Sequence, residues 1–231
     1  MIRLINGDCY EELPKLEGNV DLIVTDPPYQ FGSVRGSGIF SEKNFERYGR
    51  SRSIDNLKKL EKLKSVTFKP EVLLDMLDRI CKPFNGYFFC NKELVADYII
   101  WARNKGYTYD ILYMTKQNPV PAHSTHHVVD TEYIVFIRGK GTHFNGSGFP
   151  LDFYRKSFTV VNKGKKLHPA EKPYELIERF VLLSSAEGMT VIDPFMGCGT
   201  TGIVSKRNGR NFIGIELDKD YFSLSEWRIG E

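Results

Sequence analysis

The feature that most restricts this chain is the run TVIDPFMGCGTT at residues 190–201, followed by FIGIE at 212–216. A short apolar, β-branched stretch ends in an acid. Glycines then fall where a strand must turn into a helix, and a second strand closes on another acid. This order predicts a βαβ unit: strand 190–193, helix 200–208 and strand 212–216, with a ligand at the glycine turn. The small residues Gly197 and Gly199 let the backbone approach that ligand closely, and Glu216 can accept from both hydroxyls of a ribose. Asp193 decides the ligand class. A carboxylate there repels a pyrophosphate and attracts an amino group, so the loop suits an adenosyl group bearing an ammonium, as in S-adenosylmethionine. The competing reading is a tight structural turn.

Upstream, Val20–Thr25 is mostly apolar and stops at Asp26-Pro27-Pro28-Tyr29. A short strand stopped by proline suits the interior of a parallel sheet, and open α/β sheets hold ligands at strand ends. The two prolines remove backbone donors. Carbonyls and the Asp26 carboxylate are left as acceptors beside the Tyr29 ring. Such a corner suits a planar substrate with an exocyclic amine, its two N–H groups held while its ring stacks on Tyr29. Taken alone, the tetrapeptide also fits a surface turn.

Around these runs, strands at 2–5, 86–90, 109–115 and 132–138 alternate with helices at 10–16, from Pro70, at 92–105, from Pro173 to Ser184 and from Asp218 onward. Val72, Leu73, Met76, Leu77 and Ile80 are expected on one face of the second helix, and Leu176, Ile177, Phe180 and Val181 on one face of the fourth. The alternation predicts an α/β fold with a mainly parallel central sheet. At 231 residues, a single elaborated domain over 1–231 accounts for the chain. Two segments break the pattern: a long insertion at 30–69, with a helical stretch at 57–64, and a loop-rich region at 139–167.

Charge follows the same division. Residues 30–69 hold ten Lys/Arg against four acids and residues 138–172 hold eight against two, so the remainder carries −9 within a net charge of +3. Two basic segments on an acidic scaffold predict a surface for a polyanion, although charge alone fits two solvated loops equally well. No apolar run approaches the roughly 18 residues of a membrane span, and Asp8 interrupts any signal-like start. A cytoplasmic protein is expected. Cys9, Cys81, Cys90 and Cys198 are far apart and read as reduced thiols. His123, His126 and His127 lack a partnering cysteine or carboxylate pattern and read as polar loop residues, so no metal site is expected.

With these motifs in order, the chain resembles the DNA amino-methyltransferases that act on adenine N6 or cytosine N4, in the permuted beta-group arrangement where Asp-Pro-Pro-Tyr precedes the cofactor loop. The resemblance covers most of the chain. Asn6-Gly7-Asp8 matches the early cofactor element, residues 115–119 and 131–136 resemble the middle motifs, and His168-Pro169-Ala170-Glu171-Lys172-Pro173 matches the element before the cofactor strand. It implies a Rossmann-like S-adenosylmethionine-dependent methyltransferase fold with circularly permuted motif order. It also implies transfer of a methyl group to the N6 of a flipped-out adenine in duplex DNA, within restriction-modification.

The resemblance makes Asp26, Pro27, Pro28 and Tyr29 the catalytic residues: Asp26 and the Pro27 carbonyl accept from the amine and Tyr29 stacks on the base. It places Asp193 near the methionine amino group, Glu216 on the ribose and Asp8 near the adenine. Phe195, Gly197 and Gly199 would lie along the cofactor, and Lys172, with Thr200 or Thr201, would meet its carboxylate. His168 belongs to the His-Pro element, and Cys198 is a small packing residue. Residues 139–167 fall where the target-recognition region usually lies but are short for one. Recognition is therefore brief, shared with 30–69, or completed by a second subunit; the resemblance leaves a homodimer open. Cytosine N4 remains the alternative target, less favoured because those enzymes more often carry Ser in place of Asp26. The other readings are a catalytically silent DNA-binding protein, an RNA methylase, a protein-glutamine methylase and, last, a nicotinamide-dependent dehydrogenase.

Overall fold

The structure, a computed structural model, describes residues 1–28, 68–117, 119, 127–128, 130–160 and 171–230. Expectations resting on Tyr29, the helical stretch 57–64, His123, His126, 161–167 and His168 lie outside the described residues. The chain divides into two compact units, Met1–Pro27 with Pro70–Glu231, and Pro28–Lys69. The first unit carries the central sheet.

Its elements are β1 (Ile2–Asn6), α1 (Cys9–Glu12), a 3-10 turn (Leu13–Lys15), β2 (Leu22–Thr25), α2 (Pro70–Ile80), β3 (Asn85–Cys90), α3 (Val95–Asn104), β4 (Thr108–Lys116) and β5 (Thr131–Arg138). A second 3-10 turn (Leu151–Tyr154), β6 (Ser157–Val160), α4 (Tyr174–Ser184), β7 (Thr190–Asp193), α5 (Thr200–Arg207), β8 (Asn211–Glu216) and α6 (Lys219–Gly230) complete it. The eight strands form one sheet in the order β1-β8-β7-β2-β3-β5-β4-β6. Every pairing is parallel except the two made by β5, which runs against β3 and β4. The expected mainly parallel α/β sheet is therefore what the chain builds.

Burial explains why these runs became strands. All residues of β2 and β3 are buried, as central strands covered on both faces require. Tyr87 of β3 stacks between Phe136 and Phe180, with ring centroids 4.1 and 4.0 Å away, and its hydroxyl is satisfied by Ser184 Oγ at 2.8 Å. Leu176, Ile177, Phe180 and Val181 of α4 are buried as their spacing predicts. In α2 the buried face is Leu73, Leu74 and Leu77, while Val72 is turned outward. The helix expected over 10–16 breaks into α1 and a 3-10 turn because Pro14 has no N–H to continue the α-helical ladder.

Strand order places the functional edge. From β7 the chain passes through α5 to β8 on one side, whereas β2 is followed by β3 on the other. Connections diverge between β7 and β2, the switch point at which open α/β sheets leave a crevice at the carboxyl ends of their strands. Asp193 ends β7, and Asp26 follows the last residue of β2. No helix among the described residues is long and apolar enough to cross a membrane.

Candidate active site

The crevice has two sides, each built around a pair of carboxylates. On the β7–β8 side, Asp193 is almost wholly buried and accepts from three neutral donors. Thr25 Oγ1 and Thr201 Oγ1 each donate to it at 2.8 Å, and the Phe195 N–H donates at 3.1 Å. Burial, opposed by these three bonds and reinforced by the charge of Asp26, pushes its carboxyl up to about 7. Glu216, at the end of β8, accepts from the Gly197 N–H at 2.9 Å and the Asp218 N–H at 2.8 Å. Burial raises its carboxyl as well. Both acids are thus held by dipoles rather than by cations, which leaves their charge to be met from outside.

The glycine loop fits that role. Gly199 caps α5 with φ +84°, a left-handed conformation that disfavours side chains. Gly197, Gly199 and Gly202 have the spacing of the dinucleotide fingerprint, so the glycines do not separate the two cofactor classes; the acid does. Gly202 is a packing residue: a Cβ there would come within 2.4 Å of Ile229 Cδ1 and 2.8 Å of the Phe212 ring. Phe195 and Gly197 are half-buried while their neighbours Pro194, Met196 and Cys198 are buried, so the loop offers these two alternate residues for contact. Asp8 sits beyond β1, beside the same edge, where its side chain caps α1 through the Tyr10 N–H at 2.9 Å. Asn6 Nδ2 donates to the Glu216 carbonyl at 2.8 Å, which ties the Asn6-Gly7-Asp8 turn to the end of β8.

On the β2–β5 side the carboxylates are already matched. Lys172 Nζ lies 2.8 Å from Asp26 Oδ2 and 3.0 Å from Glu132 Oε2, and Lys116 Nζ lies 2.9 Å from Glu132 Oε1. The lysine head also stands 4.9 Å from the centre of the Phe89 ring. Burial alone would raise the Glu132 carboxyl, but the two lysines, Lys172 foremost, outweigh it and hold it at about 2. Burial likewise works against the Lys172 charge, yet Asp26 and Glu132 outweigh it and raise that amine above its ordinary value. Breaking such a buried pair from one end strands the other charge, at a cost of about 3–5 kcal/mol.

The two sides are joined. Thr25, the residue before Asp26, spends its hydroxyl on Asp193. Arg228 of α6 donates to the Cys198 carbonyl at 2.8 Å and to Glu171 at 2.9 Å, so the last helix braces the glycine loop against the segment that carries Lys172.

Of the residues picked out in the sequence, Asp26, Pro27, Asp193, Phe195, Gly197, Gly199, Thr200, Thr201 and Glu216 lie at the carboxyl ends of β2, β7 and β8, with Asp8 beyond β1. Lys172 stands between Asp26 and Glu132, and Thr201 is engaged by Asp193. Pro28 falls in the second unit. The sequence picks out Lys116 and Glu132 only as members of the middle motifs, without individual roles, and gives none to Thr25 or Arg228. A signal existed for Glu132, an acid opening an otherwise apolar strand; for Arg228 there was none.

Comparison with known proteins agrees with this geometry. The family described as DNA methylase, of the N6/N4 methyltransferase type, matches residues 20–226. The chain is 30% identical to the type II methyltransferase M2.DpnII of Streptococcus pneumoniae, over 98% of this chain and 88% of that protein. Among solved structures it resembles the M1.HpyAVI–SAM complex, with TM-score 0.71 and 24% identity over 99% of this chain and 100% of that one. It also resembles the cytosine-N4-specific PvuII DNA methyltransferase, with TM-score 0.70 and 15% identity over 98% of this chain and 86% of that one. These last two likenesses speak for the fold.

Proposed function

The chain belongs to the N6/N4 DNA methylase family, and from that premise we propose that it transfers the methyl group of S-adenosylmethionine to the N6 amine of an adenine rotated out of duplex DNA. The observation that carries the reading is the 2.8 Å bond from Thr25 to Asp193. It sets the acid of the Asp-Pro-Pro-Tyr corner next to the acid of the glycine loop, at the switch point of the sheet.

The donor set fits the cofactor. Asp193, buried against two hydroxyls and a backbone N–H, and Glu216, half-buried against two backbone N–H groups, suit an ammonium and a ribose and would repel a pyrophosphate. When bound, S-adenosylmethionine supplies an electrophilic methyl carbon on a sulfonium. In this reading Asp193 faces the amino group, Glu216 the ribose hydroxyls and Asp8 the adenine, with the Phe195 ring and the Gly197–Gly199 backbone alongside. Thr200 lies next to the loop, where it can reach the cofactor carboxylate.

An aromatic amine is a poor nucleophile because its lone pair is delocalised into the ring. Asp26 and the Pro27 carbonyl accept its two N–H groups, which favours a more tetrahedral nitrogen and stabilises the positive charge that grows on it. Tyr29 stacks on the flipped base. Lys172, fixed by Glu132, orients the Asp26 carboxylate and supplies its countercharge. Asp26 would take the proton that the amine sheds on methylation, directly or by way of solvent.

Asp26, in place of the Ser that cytosine-N4 members more often carry, supports adenine over cytosine. The two basic segments support DNA as the polyanion. Part of the 139–167 region is spent on β6, a scaffold strand paired to β4, which favours target recognition shared with residues 30–69 or with a second copy of the chain. A cytoplasmic place of action accords with this reading. The test is incubation with labelled S-adenosylmethionine and duplex DNA, then digestion and nucleoside analysis. N6-methyladenine is expected; N4-methylcytosine would transfer the assignment to the alternative target, and unlabelled DNA that is nonetheless bound would leave a silent binder.

A further inference from the structure

Distant from the edge that carries Asp26 and Asp193, a second cleft of about 180 Å³ is lined by residues of β4, β5, α4 and the turn at Leu151–Tyr154. Its lining includes four cations, Arg138, Arg155, Lys156 and Arg179, against one acid, Asp110. Two of the cations are matched: Arg155 pairs with Asp152 at 2.8 Å, and Lys156 pairs with Asp110. The other two are not. Arg179 is 6% exposed, and its Nε donates to the Phe153 carbonyl. No carboxylate of a described residue pairs with it. Arg138 lies against the rings of Phe136 and Phe144, its guanidinium carbon 5.8 and 5.1 Å from their centres, likewise without a carboxylate among the described residues. The Tyr154 hydroxyl, also on the lining, is buried and has no hydrogen-bond partner among the described residues.

Taking a guanidinium out of water without an ion-pair partner costs several kcal/mol; burial pushes Arg179 below its ordinary value, and the more distant charge of Asp152 opposes this without outweighing it. Two guanidinium forks outside any ion pair of the described residues and a phenolic O–H without a hydrogen-bond partner among them make, in one cleft, a donor set for an oxyanion, which arginine binds through paired N–H groups. The volume is below the roughly 300–1,000 Å³ of sites that enclose drug-sized ligands, so the anion is small. We propose that this cleft binds a phosphate group, either free phosphate or a phosphodiester of nucleic acid. It is not the cofactor site: Arg138 ends β5 while Glu132 is near its start, and at about 3.3 Å per residue the two lie roughly 20 Å apart.

The test titrates the full chain with potassium phosphate, against potassium chloride at matched ionic strength, and follows the melting temperature. A saturable rise with phosphate and none with chloride is expected. In Arg138→Gln the half-saturating phosphate concentration should increase about tenfold or more, as loss of a charge-assisted bond implies. Arg179→Gln should abolish the rise; Arg138 is only half-buried, so Arg138→Gln decides the matter if Arg179→Gln fails to fold. DNA titrations at constant ionic strength then separate the sources. Competition by phosphate, with a salt slope reduced by about one in Arg138→Gln, upholds the site with a phosphodiester as its occupant. DNA binding unchanged by either upholds it with free phosphate. No saturable response to phosphate, or one identical in Arg138→Gln, overturns the proposal.

Discussion

Two pairs of carboxylates, Asp193 buried and the other three half-buried, stand on one edge of the sheet and are stabilised in opposite ways. Asp193 and Glu216 are held by hydroxyls and backbone N–H groups, and burial drives both carboxyls upward. Asp26 and Glu132 are held by lysines, and Glu132 is pulled down to about 2. No cation of the described residues pairs with the first two, and in the proposed function a cationic cofactor brings that charge. The second pair already has it and can act on a neutral base without drawing in a cation. In the proposed function, binding and transfer fall to different corners of one crevice, joined by the Thr25–Asp193 bond.

The contrast breaks most visibly at Asp26. Asp26→Ala should lower methyl transfer by about a thousandfold or more, since it removes both a positioning contact and a charge facing the nitrogen; steady-state label transfer reads this. Next comes Lys172→Met, which leaves Asp26 and Glu132 facing each other without the shared cation. A loss of about 3–5 kcal/mol in unfolding free energy is expected, measured by urea denaturation, with a fall in turnover larger than any change in cofactor affinity. A cofactor dissociation constant that rises while turnover holds would return Lys172 to the cofactor carboxylate. On the other side, Glu216→Ala should weaken S-adenosylmethionine about 10- to 100-fold by calorimetry, the range expected for lost hydrogen bonds to a charged group.

Smaller effects separate the pairs by sign. The Asp193 carboxyl is raised from 3.8 to about 7, so the folded state holds that proton more tightly than the unfolded chain. Its contribution to stability is fullest below about 4, declines as pH rises towards 7 and is flat above. Glu132 is lowered from 4.5 to about 2, so its contribution is present above about 4.5 and is lost as pH falls through 2. Denaturation midpoints against pH should lose the first slope in Asp193→Asn and the second in Glu132→Gln. Parallel changes in the two variants would refute the division. Near pH 7, S-adenosylmethionine binding should release part of a proton from Asp193, which calorimetry in buffers of different ionisation enthalpy would detect.

The cofactor side was far more legible in the sequence than the catalytic side. Strand 190–193 is found at the expected residues, and α5 and β8 within one residue at an end, because a βαβ unit is local: apolar run, glycines and closing acid lie within thirty positions. Asp26 was visible through its prolines. Its setting was not, since Glu132 reaches it only through strand order, with β5 reversed beside β3, and Lys172 comes from the segment just before α4. The strand β6 escaped for another reason. Ser157–Val160 is a short, half-exposed edge strand, so it lacks the apolar run that marks β2. Arg228 braces two distant segments from the last helix, a role no spacing announces.

The division of labour is tested most directly by S-adenosylmethionine calorimetry on Asp26→Ala, the variant with the largest expected loss of transfer. A dissociation constant within about threefold of the unaltered chain is expected, because hydrogen bonds of the Asp193–Glu216 side remain. Binding lost together with transfer would contradict it, since the two corners would then be one site.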